Sequence, residues 1–191
     1  MTKSLTLIPT LLITTVLLAG CSAPAMEDSV PTPNESSESS DPVIKEVMTD
    51  TEIVLAALMG PDGEYAAAAS YLAVLDKYGS VEPYQTIYQA ELRHIDALIR
   101  QLERLGEDVP KNPYLGQITA PDDLVSAAEA WAIGEVLNVE LYDLLISKTE
   151  NESLLKVLGN LRSASLDSHL PAFELAAQGD GTLTPEQMSG N

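Results

Sequence analysis

Four long segments of this chain repeat apolar residues every three or four positions, and they come as two pairs separated by a proline-rich stretch. That period is the pitch of an α-helix with one buried face, and strand-like alternation is scarce, so the expected class is all-α. A short helix is expected over about 50–59, capped by Thr49 or Asp50 and broken by Gly60-Pro61-Asp62-Gly63. The first long helix is expected over about 62–78, stopping at Gly79, and the second over about 82–105, with Pro83 in its first turn and Gly106 beyond its end. Residues 107–121 carry Pro110, Pro113, Gly116 and Pro121 and read as a long crossover. The third long helix is expected over about 122–148, and the fourth over about 152–178 with a kink near Pro171. Residues 179–191 read as a polar tail.

Polar residues intrude on all four apolar stripes. The first long helix carries Glu64, Ala67, Ala68, Tyr71, Leu75 and Tyr78 on one face; the second carries Ile87, Glu91, His94, Leu98, Leu102 and Leu105. The third stripe is Leu124, Ala128, Trp131, Glu135, Asn138, Tyr142 and Leu145, and the fourth is Leu155, Leu158, Arg162, Ser165, His169 and Phe173. A buried carboxylate costs several kcal/mol unless it is paired, protonated or bound to a metal. Such groups on the inner face of every long helix call for a joint explanation.

Two helical hairpins joined by one long crossover have ferritin-like connectivity. In the di-metal carboxylate members of that class, two helices each supply a Glu and the other two each supply Glu-x-x-His, whose i, i+3 spacing aims both groups at one place. Here Glu64 lies on the first long helix and Glu91-Leu92-Arg93-His94 on the second. Glu135 or Glu140 lies on the third, and Leu166-Asp167-Ser168-His169 on the fourth, with the His but not the Glu. Folding the helices back at their turns, at 1.5 Å per residue, sets Glu64 about one turn from His94 and Glu135 about one turn from His169. Glu140 falls farther away and off the stripe, so Glu135 is preferred.

The chain resembles the ferritin-like superfamily, and more closely the uncharacterised prokaryotic family called domain of unknown function 2202. The similar text is Glu64, Tyr71-Leu72-Ala73, Lys77-Tyr78-Gly79, Ile87, Glu91-x-Arg93-His94-Ile95-Asp96-Ala97, Asn112-Pro113, Asp143-Leu144 and Ser168-His169-Leu170-Pro171-Ala172-Phe173, within about 50–178. The resemblance implies a four-helix bundle over 43–178 and a metal centre of Glu64, Glu91, His94, Glu135 and His169. That family has no established activity, so the resemblance speaks to fold more than to function. The chain departs from a full centre at Leu166, where a fourth carboxylate would stand.

Two readings therefore stand side by side. In one, carboxylate and imidazole hold one or two ions of iron or manganese, with zinc also open and Fe(II) oxidation by oxygen as the activity. In the other, a metal-free Glu–His–Tyr network is the relict of such a site in an envelope interaction module, with Arg162 neutralising a carboxylate. Tyr71 and Tyr142 are either donors to the ligating carboxylates or core residues, and His169 is a ligand or a core histidine. Residues 179–183 hold a Gly-Asp-Gly-Thr turn that fails the calcium-loop pattern.

The N-terminus carries a separate message. Lys3 precedes an uncharged apolar run from Leu5 to Leu18, and small residues follow, which is the layout of a secretory signal over 1–20. Leu18-Ala19-Gly20-Cys21 resembles the lipobox of bacterial lipoproteins, which implies cleavage before Cys21, the only cysteine, and acylation of its sulfur, with palmitate among the chains. Residues 21–42 are Ser-, Pro- and acid-rich and read as a flexible tether, about 25 Å in root-mean-square span. The chain is then expected in the cell envelope, anchored to a membrane by lipid and facing away from the cytoplasm. A net charge of −19 argues against nucleic acid as a partner, because phosphates need Lys and Arg to neutralise them. The protein partner stays unknown and an oligomer is open.

Overall fold

The computed structural model describes residues 47–190. The expectations for the signal at 1–20, for Cys21 and for the tether at 21–42 fall outside the described residues. The described part is helical, with α1 Asp50–Met59, α2 Glu64–Tyr78, α3 Tyr84–Leu105, α4 Leu124–Ile146, α5 Glu152–Ala164, a π turn Ser165–His169, α6 Leu170–Ala177 and α7 Pro185–Ser189. No helix among the described residues is long and apolar enough to cross a membrane.

Local chemistry sets these boundaries. Thr49 accepts from the Glu52 backbone N–H while Glu52 reaches back to the Thr49 N–H, a reciprocal cap for α1. Asp123 and Asn151 accept backbone N–H groups at the starts of α4 and α5. Gly106 ends α3 in the left-handed region at φ 79°.

The bundle is all-α, as the periodicity predicts. α2 pairs with α3, and α4 pairs with α5 and α6. The long connection after α3 is tacked to α2 by side chains. Tyr65 Oη donates to the Pro110 carbonyl at 2.8 Å, Asn112 Nδ2 to the Tyr65 carbonyl at 3.0 Å, and Tyr78 Oη to the Pro121 carbonyl at 2.7 Å.

Two apolar clusters fill the interior. One joins Ile53, Val54, Ala57 and Leu58 of α1 to Leu98, Leu102, Leu145, Leu154, Leu158 and Leu161. The other joins Tyr71, Val74, Tyr84, Ile87, Ala127, Ala128, Phe173 and Ala176. Along α3, α4 and the α5–α6 run, buried polar residues come between the members of the two clusters: Glu91, then Glu135 and Asn138, then Ser165 and His169. The polar layer is thus enclosed by apolar packing on both sides, where an uncompensated charge is most costly.

Three expectations need correction. The inner face of α5 is Leu154, Leu158 and Leu161, not Leu155 and Arg162, because the helix is rotated by about one residue from the predicted stripe. Arg162 points outward and holds Asp143 with two hydrogen bonds, at 2.5 and 3.0 Å. It is therefore not the counter-charge of the interior. The tail is not wholly polar surface: Leu183 is buried in the second cluster, its N–H donates to the Glu82 carbonyl at 2.9 Å, and Met188 packs on the same cluster.

Candidate metal centre

Each inward polar side chain is placed by its own backbone. Glu64 is the first residue of α2, after the turn at 60–63 that reverses the chain against α1. A Cβ on Gly63 would sit 2.5 Å from the Ala57 carbonyl oxygen, so only glycine lets the turn close this tightly and deliver Glu64 to the interior. Glu91 and His94 stand one turn apart on α3 and share a face. Glu135 lies mid-way along α4, while Glu140 is exposed and takes no part.

His169 ends the π turn, which lies just before Pro171, where the sequence predicts a kink. A proline inside a helix lacks an N–H, and its ring collides with the carbonyl four residues back, here Asp167. The chain widens the preceding turn instead, and the Leu170 N–H reaches the Ser165 carbonyl, five residues back. The widened turn is fixed to α4, since Ser165 Oγ donates to Asn138 Oδ1 at 2.6 Å. Asn138 Nδ2 in turn donates to the Asp62 carbonyl at 2.8 Å.

The five residues meet as two trios that share one member. Ligand atoms of Glu64, Glu91 and His94 lie within 4.8 Å of one another, and so do those of Glu91, Glu135 and His169. Glu91 is divided between them: its Oε2 lies 3.1 Å from His94 Nδ1 and its Oε1 lies 3.0 Å from His169 Nδ1. The outer carboxylates complete the pattern, with Glu64 Oε2 3.5 Å from His94 Nδ1 and Glu135 Oε1 3.5 Å from His169 Nδ1. Each outer carboxylate is held from behind by a buried tyrosine: Tyr142 Oη donates to Glu64 Oε1 and Tyr71 Oη to Glu135 Oε1. The two imidazoles stack with centroids 5.6 Å apart. Carboxylate, imidazole and tyrosine thus repeat on either side of Glu91.

Hydrogen bonding leaves this layer incomplete. Glu64 Oε2 and His169 Nδ1 are buried without a hydrogen-bond partner. His169 Nδ1 is close to Glu91, yet its N–H direction misses the carboxylate, so the contact is one of charge alone. Buried groups in native proteins rarely stay unpaired, and a site lined by carboxylate oxygen and imidazole nitrogen with unfilled directions suits a cation.

The charges respond to this crowding. Burial, reinforced by the neighbouring Glu91, pushes the Glu64 carboxyl up to about 8. Burial also works against ionised Glu91, but contacts with Glu64, His169 and His94 outweigh it and hold its carboxyl below the usual range. For both histidines burial disfavours the charged ring. Glu64 and Glu91 overcome this at His94, and Glu135 and Glu91 at His169, so each rises to about 10. Burial first, and then the adjacent carboxylates, push Tyr71 and Tyr142 well above the ordinary phenol value, so both remain donors. Protons serve here as the positive charge that a metal would supply.

All five candidate positions predicted from the helical stripes converge, and both tyrosines contact the outer carboxylates. Leu166 is exposed and does not approach the layer. The stripes also contain Asn138 and Ser165, but periodicity alone assigned neither a role. Their sign is that each is a polar residue one turn from a ligand, on the ligand's own face. No family model, curated protein or solved structure matches the chain.

Proposed function

We propose that this chain is an exported, lipid-anchored metalloprotein of ferritin-like build, whose bundle holds up to two iron or manganese ions through Glu64, Glu91, His94, Glu135 and His169. The observation that carries the reading is the division of Glu91 between two Glu/His pairs, with Glu64 Oε2 and His169 Nδ1 buried and unpartnered beside it. Glu91 would lie between the two ion positions, Glu64 and His94 serving one and Glu135 and His169 the other. Three carboxylates and two neutral imidazoles offset three of the four charges on two divalent ions. This mixture of oxygen and nitrogen donors suits Fe(II) and Mn(II), and leaves coordination positions free.

Bound iron or manganese would supply one-electron chemistry, and oxidation of Fe(II) by dioxygen is the activity to assay first. The protein's own contribution is to hold the carboxylates. Tyr142 and Tyr71 orient Glu64 and Glu135, and the apolar clusters above and below keep bulk water out. The lipid on Cys21 and the tether at 21–42 would present the bundle beside the membrane.

The metal-free interaction module loses one of its two supports, because Arg162 pairs with Asp143 rather than with an interior carboxylate. It keeps only the missing carboxylate at Leu166. Elemental analysis of the mature chain reconstituted with Fe(II) or Mn(II) decides between them. One to two ions per chain are expected, lost in Glu91→Ala and His94→Ala. Absence of stoichiometric metal in the folded wild type would overturn the proposal.

A further inference from the structure

The two approaches to the polar layer differ in chemistry. A small cavity of about 80 Å³ reaches it from one side past Asp62, Ser70 and Asn138 to Glu91 and Glu135, with no Lys, Arg or His on its walls. A larger cavity of about 330 Å³ reaches it from another side and ends on the rings of His94 and His169. Its charge is the reverse: in a chain with 29 acidic residues, no Asp or Glu lines it, and Arg93 stands on its wall. Among the described residues no carboxylate forms an ion pair with Arg93. The hydroxyls of Thr86 and Ser168 are the other polar side chains there, and Ile87, Ala90 and Met188 contribute apolar wall.

We infer that this histidine-side cavity is the substrate pocket of the metal centre, and that it takes a small organic acid with a short apolar body. The inference rests on the metal-centre reading above and adds the class of molecule the centre acts beside. The volume is at the lower end of ligand pockets, which run from about 300 to 1,000 Å³. One guanidinium matches one carboxylate through paired hydrogen bonds. The apolar wall of Ile87, Ala90 and Met188 accommodates a few methylenes, which gain by leaving water. The carboxylate would sit against Arg93, next to His94, the ligand with the more accessible side chain, at 14% against 5% for His169. Met188 brings the C-terminal α7 to the rim, which gives that short helix a role in shaping the pocket.

Calorimetric titration of the mature chain with hexanoate tests this, with 1-hexanol as the uncharged probe and Co(II) loaded as a spectroscopic reporter. Hexanoate is expected to bind at least about tenfold tighter than 1-hexanol and to shift the visible Co(II) bands. Arg93→Gln, an exposed position that does not contribute to the core, should weaken hexanoate by on the order of tenfold with metal content unchanged. Ala90→Leu, which fills the cavity, should abolish binding. Equal affinity for acid and alcohol, an unaffected Arg93→Gln, unmoved Co(II) bands, or no saturation by hexanoate would each overturn the inference. Elemental analysis of the same samples separates the two proposals. Full metal without hexanoate binding sinks only the pocket, and Arg93-dependent hexanoate binding without metal sinks the metal centre.

Discussion

At the scale of single residues, the proposed centre depends on side chains other than its five candidate ligands. Tyr142 and Tyr71 each donate to an outer carboxylate from a buried position. Removing either hydroxyl leaves the ligand in place but free to turn. Tyr142→Phe is therefore expected to weaken metal binding by about ten- to a hundredfold, with only a small change in folding, and competition with a chromogenic chelator measures it. Gly181 shows the opposite case, a residue needed for shape alone. Its φ is +84° and a Cβ there would lie 2.2 Å from the Leu124 carbonyl carbon. Gly181→Ala should cost at least about 2 kcal/mol and lower Tm by several degrees in a thermal scan, because both backbone conformation and space are refused.

Proton binding at the centre also sets how the metal-free chain responds to pH. Glu64 is raised from 4.5 to about 8, so the folded state holds a proton that the unfolded chain releases, and stability falls as pH rises between those values. His94 and His169 are raised from 6.5 to about 10, so their contribution is full below 6.5 and is lost as pH climbs through 10. Glu91 acts in the opposite sense: held below 4.5, it contributes above that value and loses its contribution on acidification. The metal-free Tm should therefore be highest at roughly pH 5 and decline toward pH 10. A flat profile from pH 5 to 10 would contradict the proton inventory. A metal held as proposed would have to displace these protons, so its affinity is expected to rise with pH over the same interval.

At the scale of elements, the π turn links backbone chemistry to the site. The widened turn ends on His169, two residues before Pro171. Without the proline ring, the turn can tighten to ordinary α geometry, which rotates a residue by about 100° for each position of register lost. Pro171→Ala is expected to keep helix content and Tm but to reduce metal affinity by on the order of tenfold, since His169 would no longer be held beside Glu91 and Glu135. Circular dichroism and a metal titration on one preparation separate the two effects. The turn between α1 and α2 acts in the same way on Glu64, through Gly63.

At the scale of the whole molecule, the polar layer is a weakness that a ligand can turn into an asset. Three carboxylates between two apolar clusters work against folding unless positive charge compensates them. An ion that binds only the folded state adds about 2.7 kcal/mol at a hundred times its Kd. For a chain of this size that is a rise in Tm of roughly 5–10 °C. Chelation should reverse it, and a Tm indifferent to both metal and chelator would favour the metal-free module. Glu91→Ala should abolish the metal-dependent rise.

The amino-acid order by itself determined the long helices, their pairing and the residues of the polar layer, because a 3.6-residue period broken by Glu and His is a local signal. Folding back two hairpins at known turns was enough to choose Glu135 over Glu140, since helical rise converts residue number into height. Other features required the tertiary structure. Whether Arg162 faced inward depended on a rotation of one residue, which the stripe could not distinguish and the Asp143 pair decided. The division of Glu91 between two histidines and the docking of Leu183 arise from contacts between segments far apart in sequence. Periodicity shows which face of a helix is buried, but packing alone settles what that face touches.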